Sequence, residues 1–319
     1  MTKRWGSVIV VVFLGLWVSP VHADERGWDY LIERLVADGV ERERVVAVFR
    51  DWRVAPFTGI EFSADTPHEA RSRYRRFLRP ASVAAARRCR LSQAQDLEAA
   101  QRLYGVSADV LAAIIYVESG CGRNTGSSLI FYRLARLAMA NEPANLQRNL
   151  DRWTSDDGNL DPDAAARLRT RARYLESTFY PEVRALFDVA ERMGVRPLEI
   201  RGSSSGAFGY PQFLPRSYIE YGVDADGDGR VSLYDSADAA ASCARYFAGH
   251  GWRPGVSQAQ RRAVVWQYNH SDAYVDTVLT LATRIGTAPI VLAKKRAPHA
   301  HSKPHQQRAA ASHKRKAKG

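Results

Sequence analysis

The sequence predicts a mainly α protein, and three observations support this prediction. Apolar residues recur at helical spacing along most of the chain, as they do between Trp28 and Trp52. Residues that start or stop helices flank several of these segments. No convincing alternation of apolar and polar residues indicates strands, and no internal repeat is evident. The composition, 45% apolar and 25% charged among 319 residues, is that of an ordinary globular protein.

The individual helices follow from apolar spacing and from the residues at their ends. Threonine followed by proline at residues 66–67 indicates a helix start, and Ser107 is the expected N-cap of an almost wholly apolar helix. Residues 141–172 are polar and weakly patterned, so helix with loops is predicted there. The predicted helices are two short ones within Trp28–Trp52 broken at Gly39, then Thr66–Leu78 ended by Pro80, Leu91–Tyr104, Ser107–Gly120, Leu175–Met193, Ala237–Ala248 and Ser271–Ile285.

The first 23 residues are predicted to be a secretory signal peptide. Lys3-Arg4 precede an apolar run, Val8–Val18, and Val21-His22-Ala23 has the small-x-small pattern of a cleavage site. The run is shorter than the roughly 20 residues of a membrane span, although an uncleaved anchor is the alternative. No cysteine stands at the cleavage point, which disfavours a lipoprotein. We therefore expect a periplasmic protein.

The net charge of +12 is concentrated at the ends of the chain. The signal carries two cations and residues 294–319 carry nine cations and no acid, so 12 − 2 − 9 leaves about +1 for the rest. We expect residues 24–292 to form one monomeric domain, with about 24–100 as an N-terminal helical extension and no specific nucleic-acid partner. Residues 293–319 are predicted to be a basic disordered tail, either contacting an anionic surface or without a partner.

The three cysteines permit one disulfide and one free thiol in an exported protein. Cys89 and Cys121 flank a helical segment and are the favoured pair. Cys243 lies at helical spacing from small and aromatic residues, which indicates a buried position.

Glu118 closes the apolar helix and is the first candidate for chemistry. The negative end of the helix dipole and the apolar surroundings both disfavour an ionised carboxylate. A carboxyl group that keeps its proton near neutral pH is what a general acid requires. The alternative is a glutamate that extends from the last turn into water.

The segment Gly202–Pro215 is the second candidate. Three of its glycines fall within eight residues, a density that favours special backbone dihedrals or close approach of a ligand. The Ser203 hydroxyl and backbone N–H groups would then meet a polar ligand, and Gln212 would donate to a sugar hydroxyl or acetamide. A tight structural loop is the alternative.

An acidic loop follows, and it fits the EF-hand calcium pattern. Oxygen-bearing residues stand at loop positions 1, 3, 5, 9 and 12, with glycine at 6 and a backbone carbonyl at 7. An aspartate replaces the usual glutamate at position 12, which lowers the expected affinity or coordination number. We predict a structural Ca²⁺, with a solvated acidic turn as the alternative. The predicted ligands are Asp224, Asp226, Asp228, the Arg230 carbonyl and Asp235.

Tyr268 and Asn269 precede the last predicted helix, which Ser271 caps. Tyr268 offers a ring for stacking and a hydroxyl, and Asn269 offers an amide with donor and acceptor. This combination suits a saccharide site, and a helix-entry turn with a core tyrosine is the alternative.

Taken in order, these motifs resemble the lytic murein transglycosylase B family over about Trp28–Ile285. The resemblance is carried by Val117-Glu118-Ser119 with two following glycines, by Gly202-Ser203 through Gln212-Phe213-Leu214-Pro215, by the acidic loop and by Tyr268-Asn269-x-Ser271-x-x-Tyr274. Three positions depart from the usual family residues, namely Ser119 for Thr, Ser205 for Ala and Pro211 for Gly. Pro211 removes a backbone donor beside Gln212, so the loop geometry there is expected to differ.

The resemblance implies a lysozyme-like helical fold around a deep saccharide cleft, with the calcium loop beside it. Glu118 would be the single catalytic acid and base, Ser203 would help to position the substrate, and Gln212, Tyr268 and Asn269 would line the saccharide site. Tyr74 is matched to a tyrosine of the cleft.

The implied reaction cleaves the β-1,4 bond between N-acetylmuramic acid and N-acetylglucosamine in peptidoglycan without water and leaves 1,6-anhydro ends. A muramidase that uses water and a non-catalytic peptidoglycan-binding protein are the competing hypotheses.

Overall fold

The computed structural model describes residues 26–64, 72–154 and 161–287. The predicted signal and the predicted basic tail lie outside these ranges. Within them most residues are helical, which confirms the mainly α prediction. The helices are α1 (Asp29–Ala37), α2 (Arg42–Arg50), α3 (Ser72–Arg75), α4 (Pro80–Ser92), α5 (Ala94–Tyr104), α6 (Ala108–Ser119), α7 (Ile130–Ala138), α8 (Pro143–Asp151), α9 (Pro162–Met193), α10 (Pro215–Tyr221), α11 (Ser236–Gly249), α12 (Gln258–Tyr268) and α13 (Asp272–Gly286).

Helix α6 is the centre of the fold. Its residues are apolar on all sides, and a helix of that kind must be covered on all sides. It contacts α4, α5, α11 and α13, and Leu111, Ile114 and Ile115 are fully buried. The Ser107 side chain accepts from the Asp109 amide at 3.3 Å, which confirms the predicted N-cap. Gly120, at φ +61°, ends the helix in the left-handed conformation.

Helix α9, with 32 residues, is the longest of the described helices, and partly buried polar contacts join it to α1. The Glu176 carboxylate accepts from the Tyr30 hydroxyl at 2.5 Å and pairs with Arg34 at 2.6 Å. One turn further along α9, the Tyr180 hydroxyl donates to Asp38 at 2.6 Å. Because these groups are paired, the polar side chains at this helix contact are satisfied where they are buried.

A short antiparallel sheet joins two distant parts of the chain. Strand β1 (Ser128–Leu129) pairs with β2 (Arg201–Gly202), and Ser128 lies opposite Gly202. This pairing places the start of α7 beside the predicted Gly202–Pro215 segment.

Five of the predicted helices are confirmed directly, namely the two around Gly39, the one from Ser107 and the two nearest the C-terminal end, as α1, α2, α6, α11 and α13. Helices α4, α7, α10 and α12 are not predicted. Pro80 explains one omission, because it is the first residue of α4 rather than a stop. Proline is favoured at that position, where its missing N–H has no helical partner to lose. Helix α12 opens with a Ser257–Gln260 capping box, a signal that would have identified it.

Other boundaries differ where the apolar pattern is weak. Helix α9 begins at Pro162 instead of Leu175, because the buried face of its first half is built largely from alanines. Residues 91–92 belong to α4, so the predicted Leu91–Tyr104 helix starts at Ala94. The predicted start at residues 66–67 lies outside the described residues, and that segment ends as α3 followed by a 3₁₀ turn, Arg76–Leu78.

The cysteine predictions are confirmed. Cys89 and Cys121 form a disulfide that links α4 to the turn after α6, and Cys243 is fully buried as a free thiol. In the part of the chain that the structure describes, no helix combines the length and the apolar character needed to cross a membrane.

Candidate active site

Glu118 lies on the last turn of α6, and the turn that follows it is tightly fixed. The buried Ser119 hydroxyl donates to the Ile115 carbonyl at 3.1 Å and accepts from the Gly122 amide at 2.9 Å. Cys121 adopts φ +70°, an unusual conformation for a residue other than glycine. The disulfide to Cys89 holds this residue in place. The carboxylate therefore extends from a helix end that has little freedom to move.

Tyr274 on α13 donates from its hydroxyl to Glu118 Oε1 at 2.6 Å. Tyr274 is fully buried, and desolvation followed by the charge of Glu118 raises its pKa well above the ordinary value. The phenol is therefore protonated near neutral pH and donates its hydrogen bond to the carboxylate. The sequence motif contains Tyr274, but spacing along the chain gives no sign that it reaches Glu118.

A group of aromatic rings surrounds this pair. The Tyr268 ring is nearly parallel to the Tyr274 ring, with 6.3 Å between centroids and 13° between planes. Tyr74, which is buried, meets the Tyr274 ring edge-on at 5.8 Å. The pKa of Tyr268 is also raised, by desolvation first and then by Cys243 and Glu118. Two tyrosines predicted from sequence thus lie in one cluster with the Glu118–Tyr274 pair.

The Ser203 segment forms a tight loop. The Ser203 amide donates to the Ala207 carbonyl at 2.7 Å, and the Ser203 hydroxyl accepts from the Ala207 amide at 3.2 Å. A serine hydroxyl that accepts in this way keeps its own hydrogen for donation. Gly206 lies against Leu134 of α7, where a Cβ would come within 2.3 Å of a side-chain carbon. Gly206, the second of the three glycines in this segment, therefore serves close packing.

Gln212 is predicted to donate to a sugar hydroxyl or acetamide, but its amide makes other hydrogen bonds in the structure. It adopts φ +52°, and its side-chain nitrogen donates to the carbonyls of Thr125 at 3.1 Å and Gly209 at 2.9 Å. Both amide hydrogens are therefore used within the protein, and the carbonyl oxygen is the group left to meet a ligand. The preceding Pro211 carbonyl accepts from the Tyr268 hydroxyl.

The turn after Glu118 packs directly on this loop. The Tyr210 ring covers Gly122, where an added Cβ would fall 2.1 Å from a ring carbon. A Cβ at Gly126 would come within 2.2 Å of the Gly202 carbonyl carbon and oxygen. Only glycine fits either contact. The two motifs, whose Glu118 and Ser203 stand 85 positions apart in sequence, are thereby joined into one surface.

Asn269 ends α12 and accepts through its backbone carbonyl from the Ser271 amide at 2.7 Å. Ser271 in turn caps α13, with its hydroxyl 3.4 Å from the Tyr274 amide. The Asn269 side chain is partly exposed. This short connection places Tyr268 and Tyr274 on either side of one turn.

The acidic loop is organised by its own aspartates. Asp224 accepts from the amides of Gly227 at 2.8 Å and Gly229 at 2.9 Å, and Asp228 accepts from the Arg230 amide at 2.8 Å. Carboxylate oxygens from three of these aspartates lie within 4.8 Å of one another, at positions 224, 226 and 228. These exposed, all-oxygen donors are of the type that Ca²⁺ prefers, so the three aspartates fit that ion by their chemistry.

A fifth aspartate, which the sequence analysis does not name, closes the same loop. Asp238 on α11 is buried and accepts from the Ala225 and Ser232 amides, each at 2.7 Å. Desolvation raises the pKa of Asp238, and these amide hydrogen bonds act against the increase. With Asp226 and Asp235 it forms a second group of oxygens within 4.8 Å. Asp235 also caps α11 through the Ala237 amide at 2.7 Å.

The acidic loop is connected to the Gln212 segment through Leu233. The Tyr210 amide donates to the Leu233 carbonyl at 2.7 Å, and Gly209 lies so close that a Cβ there would be 2.3 Å from Leu233 Cβ. The acidic loop and the segment that carries Ser203 and Gln212 are therefore in direct contact.

Comparison with known families decides the kind of protein that carries this site. Residues 23–262 match the family model described as Transglycosylase SLT domain. The chain belongs to this family. The family prediction from the sequence motifs is thus confirmed.

Individual relatives of this transglycosylase SLT domain agree with that assignment. Membrane-bound lytic murein transglycosylase B of Escherichia coli is 35% identical over 159 residues, which are 50% of this chain and 36% of that protein. The alignment thus spans well under half of the curated relative.

Two solved structures share the fold. The E. coli lytic transglycosylase SLT35 in complex with calcium gives a TM-score of 0.58 at 22% identity, covering 82% of this chain and 93% of that one. SltB3 of Pseudomonas aeruginosa, in complex with NAG-NAM-pentapeptide, gives 0.59 at 18% identity, covering 82% and 79%. At such identities the comparison concerns the fold, which is that of the lysozyme-like lytic transglycosylases.

Proposed function

We propose that this protein is a peptidoglycan lytic transglycosylase, with Glu118 as its catalytic acid and base. The observation that carries the proposal is the Glu118 carboxylate, held by Tyr274 at 2.6 Å beside the tyrosine cluster in a chain of the transglycosylase SLT family. Ser203, Gln212, Tyr268, Asn269 and Tyr74 are proposed to contact the saccharide. The substrate would be a glycan strand, since relatives of this fold are solved with bulgecin and with a NAG-NAM-pentapeptide.

The proposed reaction uses one carboxyl group twice. Glu118 first gives its proton to the oxygen that links muramic acid to glucosamine, and the C1–O bond breaks. The substrate's N-acetyl group stabilises the positive charge that develops at C1. The ionised Glu118 then takes the proton of the C6 hydroxyl, and the C6 oxygen bonds to C1. No water enters the products, whereas a typical glycosidase uses a second carboxylate to activate or replace water.

Calcium is proposed as a structural ion of the acidic loop. Asp224, Asp226, Asp228, Asp235 and the Arg230 carbonyl would bind it, and Asp238 supports the loop from α11. The ion would neutralise the crowded carboxylates and fix the loop that contacts Tyr210. A relative of the same fold is solved with calcium, which supports this assignment.

The proposed location is the periplasm, where a peptidoglycan substrate lies. The Cys89–Cys121 disulfide fits an oxidising compartment, and the predicted signal at residues 1–23 fits export. The basic residues of 293–319 would assist by contact with an anionic surface. A monomer without a specific nucleic-acid partner remains our expectation.

The decisive experiment is mass spectrometry of the muropeptides that purified protein releases from isolated sacculi. We expect 1,6-anhydro ends from the wild type and a loss of about 10²–10⁴-fold in release rate for Glu118→Gln. Glu43→Gln, an exposed change on α2, is the matched control and should retain the wild-type rate.

Three results would contradict the proposal in different ways. Reducing ends without 1,6-anhydro groups would identify a muramidase. Unchanged release by a folded Glu118→Gln variant would remove Glu118 from the mechanism. Binding to sacculi without any release would identify a non-catalytic binding protein.

A further inference from the structure

The Cys89–Cys121 disulfide lies close to the proposed acid, although the proposed reaction uses neither sulfur. Cys121 follows Glu118 by three positions, and Cys89 stands 32 positions before Cys121, on α4. Helices α5 and α6 both lie inside the covalent loop that this bond closes. The bond therefore attaches the turn that follows Glu118 to a separate helix, α4.

The backbone of that turn is unfavourable for a residue other than glycine. Gly120, Cys121 and Gly122 have φ of +61°, +70° and +77°, so three successive residues adopt the left-handed region. Glycine enters this region freely, whereas the Cβ of any other L-residue comes close to a carbonyl oxygen there. The Cys121 amide donates to the Ile115 carbonyl at 3.2 Å. We expect the covalent bond to be the stronger restraint that keeps Cys121 in this conformation.

A change at Cys121 would reach Glu118 through the residues on either side of Cys121. The Ser119 hydroxyl accepts from the Gly122 amide at 2.9 Å, and this bond bridges the turn. Gly122 also lies under the Tyr210 ring, where an added Cβ would be 2.1 Å from a ring carbon. If Cys121 relaxes to another φ, Gly122 moves, and both the Ser119 bond and the Tyr210 contact change with it.

The other end of the disulfide is firmly placed. Cys89 is 3% exposed on α4, which contacts α6 and α13. The next residue, Arg90, pairs with Asp109 of α6 at 3.1 Å and with Glu98 of α5 at 2.9 Å. These contacts do not depend on the disulfide, so α4 should stay in place when the bond is broken. Reduction should then loosen the turn after Glu118 and leave the helical frame folded.

The two sulfurs belong to residues that differ in exposure. Cys121 is partly exposed and Cys89 is buried, so a thiolate from solvent reaches Cys121 first. With a dithiol reductant, one thiolate bonds to the Cys121 sulfur, and Cys89 leaves as a thiolate that takes up a proton. The second thiol of the reagent then displaces Cys121, which also takes up a proton. The protein gains two electrons and two protons, and the reagent becomes a cyclic disulfide.

We propose that this disulfide is a redox switch of the proposed active site. The oxidised pair holds Glu118 in its working position, and the reduced pair leaves a folded protein with a low kcat. The proposal rests on the function proposed above, because it concerns the activity of Glu118. Oxidation transfers two electrons and two protons from the cysteines to a disulfide-bearing oxidant. Exported proteins meet such oxidants, whereas the cytosol keeps thiols reduced, so the protein would become active after export.

The test measures kcat and KM of muropeptide release from sacculi before and after treatment of the protein with dithiothreitol. The count of free thiols in the denatured protein reports reduction, because it should rise from one to 1 + 2 = 3. We expect kcat to fall about ten- to a hundredfold and KM to change less than about twofold, since the acid is misplaced while the saccharide contacts remain. Reoxidation with oxidised glutathione should restore kcat.

Two paired variants separate positioning of the acid from general stability. Cys89→Ser with Cys121→Ser should have the low kcat of the reduced protein and no response to dithiothreitol. Cys89→Ser with Cys121→Gly should recover part of kcat, because glycine adopts φ +70° without a bond. Leu35→Ala, a buried change on α1, is the control, since its loss of stability should be comparable and its kcat should be that of the wild type.

Unchanged kcat in a protein with three free thiols would overturn the proposal, and so would a glycine pair no more active than the serine pair. Loss of the folded state on reduction, seen by circular dichroism, would make the bond a general stabiliser and would also overturn it. Hydrogen exchange separates this proposal from the catalytic one. Faster exchange of residues 119–124 on reduction, in a protein that releases no anhydro product, would keep the switch in the turn and reject the catalytic function. Anhydro product released at the same rate in both redox states would do the reverse.

Discussion

At the scale of single residues, one hydrogen bond distinguishes Glu118 from an ordinary glutamate at a helix end. The Tyr274 hydroxyl holds one carboxylate oxygen at 2.6 Å, and the raised pKa of Tyr274 keeps that hydroxyl protonated. Placement within a few tenths of an ångström is what proton transfer to a bound glycosidic oxygen requires. Tyr274 is thus a positioning residue for the proposed acid.

Replacing Tyr274 with phenylalanine should lower kcat by about ten- to a hundredfold and leave KM nearly unchanged, since the carboxylate loses its fixed orientation. The loss of one hydrogen bond costs about 1 kcal/mol of unfolding free energy. Tyr218→Phe is the matched control, because that buried hydroxyl donates to the Val231 carbonyl at 2.9 Å. The control should lose similar stability and keep its kcat. A kcat of Tyr274→Phe equal to that of the control would reject the positioning role.

At the scale of elements, the site depends on two loops that only glycine allows to touch. The turn after α6 and the segment from Gly202 contact through Gly122 and Gly126, at distances that leave no room for a Cβ. The disulfide at Cys121 fixes the first loop, and the acidic loop supports the second through Leu233. The helices supply the frame, and these contacts position the polar groups.

A comparison of Gly126→Ala with Gly39→Ala separates the effect of close packing on stability from the effect of backbone conformation. Both glycines have φ +90°, but a Cβ at Gly126 meets the Gly202 backbone at 2.2 Å and a Cβ at Gly39 meets nothing within 4 Å. Both substitutions should cost about 1–2 kcal/mol through φ. Gly126→Ala should cost about 1–3 kcal/mol more through the clash, and should also lower kcat/KM. Equal unfolding free energies in urea would show that the contact is absent.

Calcium binding to the acidic loop is tested by thermal unfolding with and without a chelator. The wild type should gain about 2.7 kcal/mol at a calcium concentration one hundred times Kd. Asp226→Ala removes the residue shared by both carboxylate groups, so its Tm should not respond to calcium. Asp188→Ala, an exposed change on α9, should respond as the wild type does. A wild-type Tm that chelation leaves unchanged would exclude a structural ion.

At the scale of the whole molecule, the pH dependence of the unfolding free energy includes contributions from carboxyl groups whose pKa values are shifted in opposite directions. Burial raises the pKa of Glu182 on α9 above 4.5, although its carboxylate accepts from the Arg216 amide at 2.8 Å. Hydrogen bonds from Arg196 lower the pKa of the exposed Glu199 below 4.5. The folded state therefore binds the Glu182 proton more tightly than the unfolded state does, and the Glu199 proton less tightly.

The signs follow from linkage. The contribution of Glu182 to the unfolding free energy is complete below pH 4.5 and is lost as pH rises through the raised pKa. The unfolding free energy of Glu182→Gln should therefore fall less than that of the wild type between pH 4 and pH 7.5. The contribution of Glu199 is present above pH 4.5 and is lost as pH falls through the lowered pKa. Glu199→Gln should therefore change the pH profile in the opposite direction, and only slightly because solvent screens the pair. Urea titrations across this pH range check both predictions. If the two variants change the pH dependence of the unfolding free energy in the same direction, the predictions are contradicted.

Many of the helices could be predicted from the sequence because their apolar spacing and their end residues gave strong local signals. Helix α6 is apolar on all sides and lies between a serine cap and a glycine stop, and α1 and α2 are divided by a glycine. The first half of α9 gave no such signal, because alanines form its buried face. The predicted helix stop at Pro80 was wrong because the missing N–H of proline, which breaks a helix interior, is tolerated at the first position of a helix.

The mainly α class, the family and the residue types of the site could be predicted before folding was considered, since motif order, caps and periodicity are all local properties. The sequence favoured the Cys89–Cys121 pairing without settling it, and the structure confirms that pair. Three contacts become visible only once the chain is folded: Tyr274 holds Glu118, Asp238 closes the acidic loop, and Gln212 donates its amide hydrogens to Thr125 and Gly209. Among these contacts, Tyr274 with Glu118, Gln212 with Thr125 and Asp238 with Ala225 join residues 156, 87 and 13 positions apart. Spacing along a chain carries no information about such contacts, because packing of the helices alone brings the groups together.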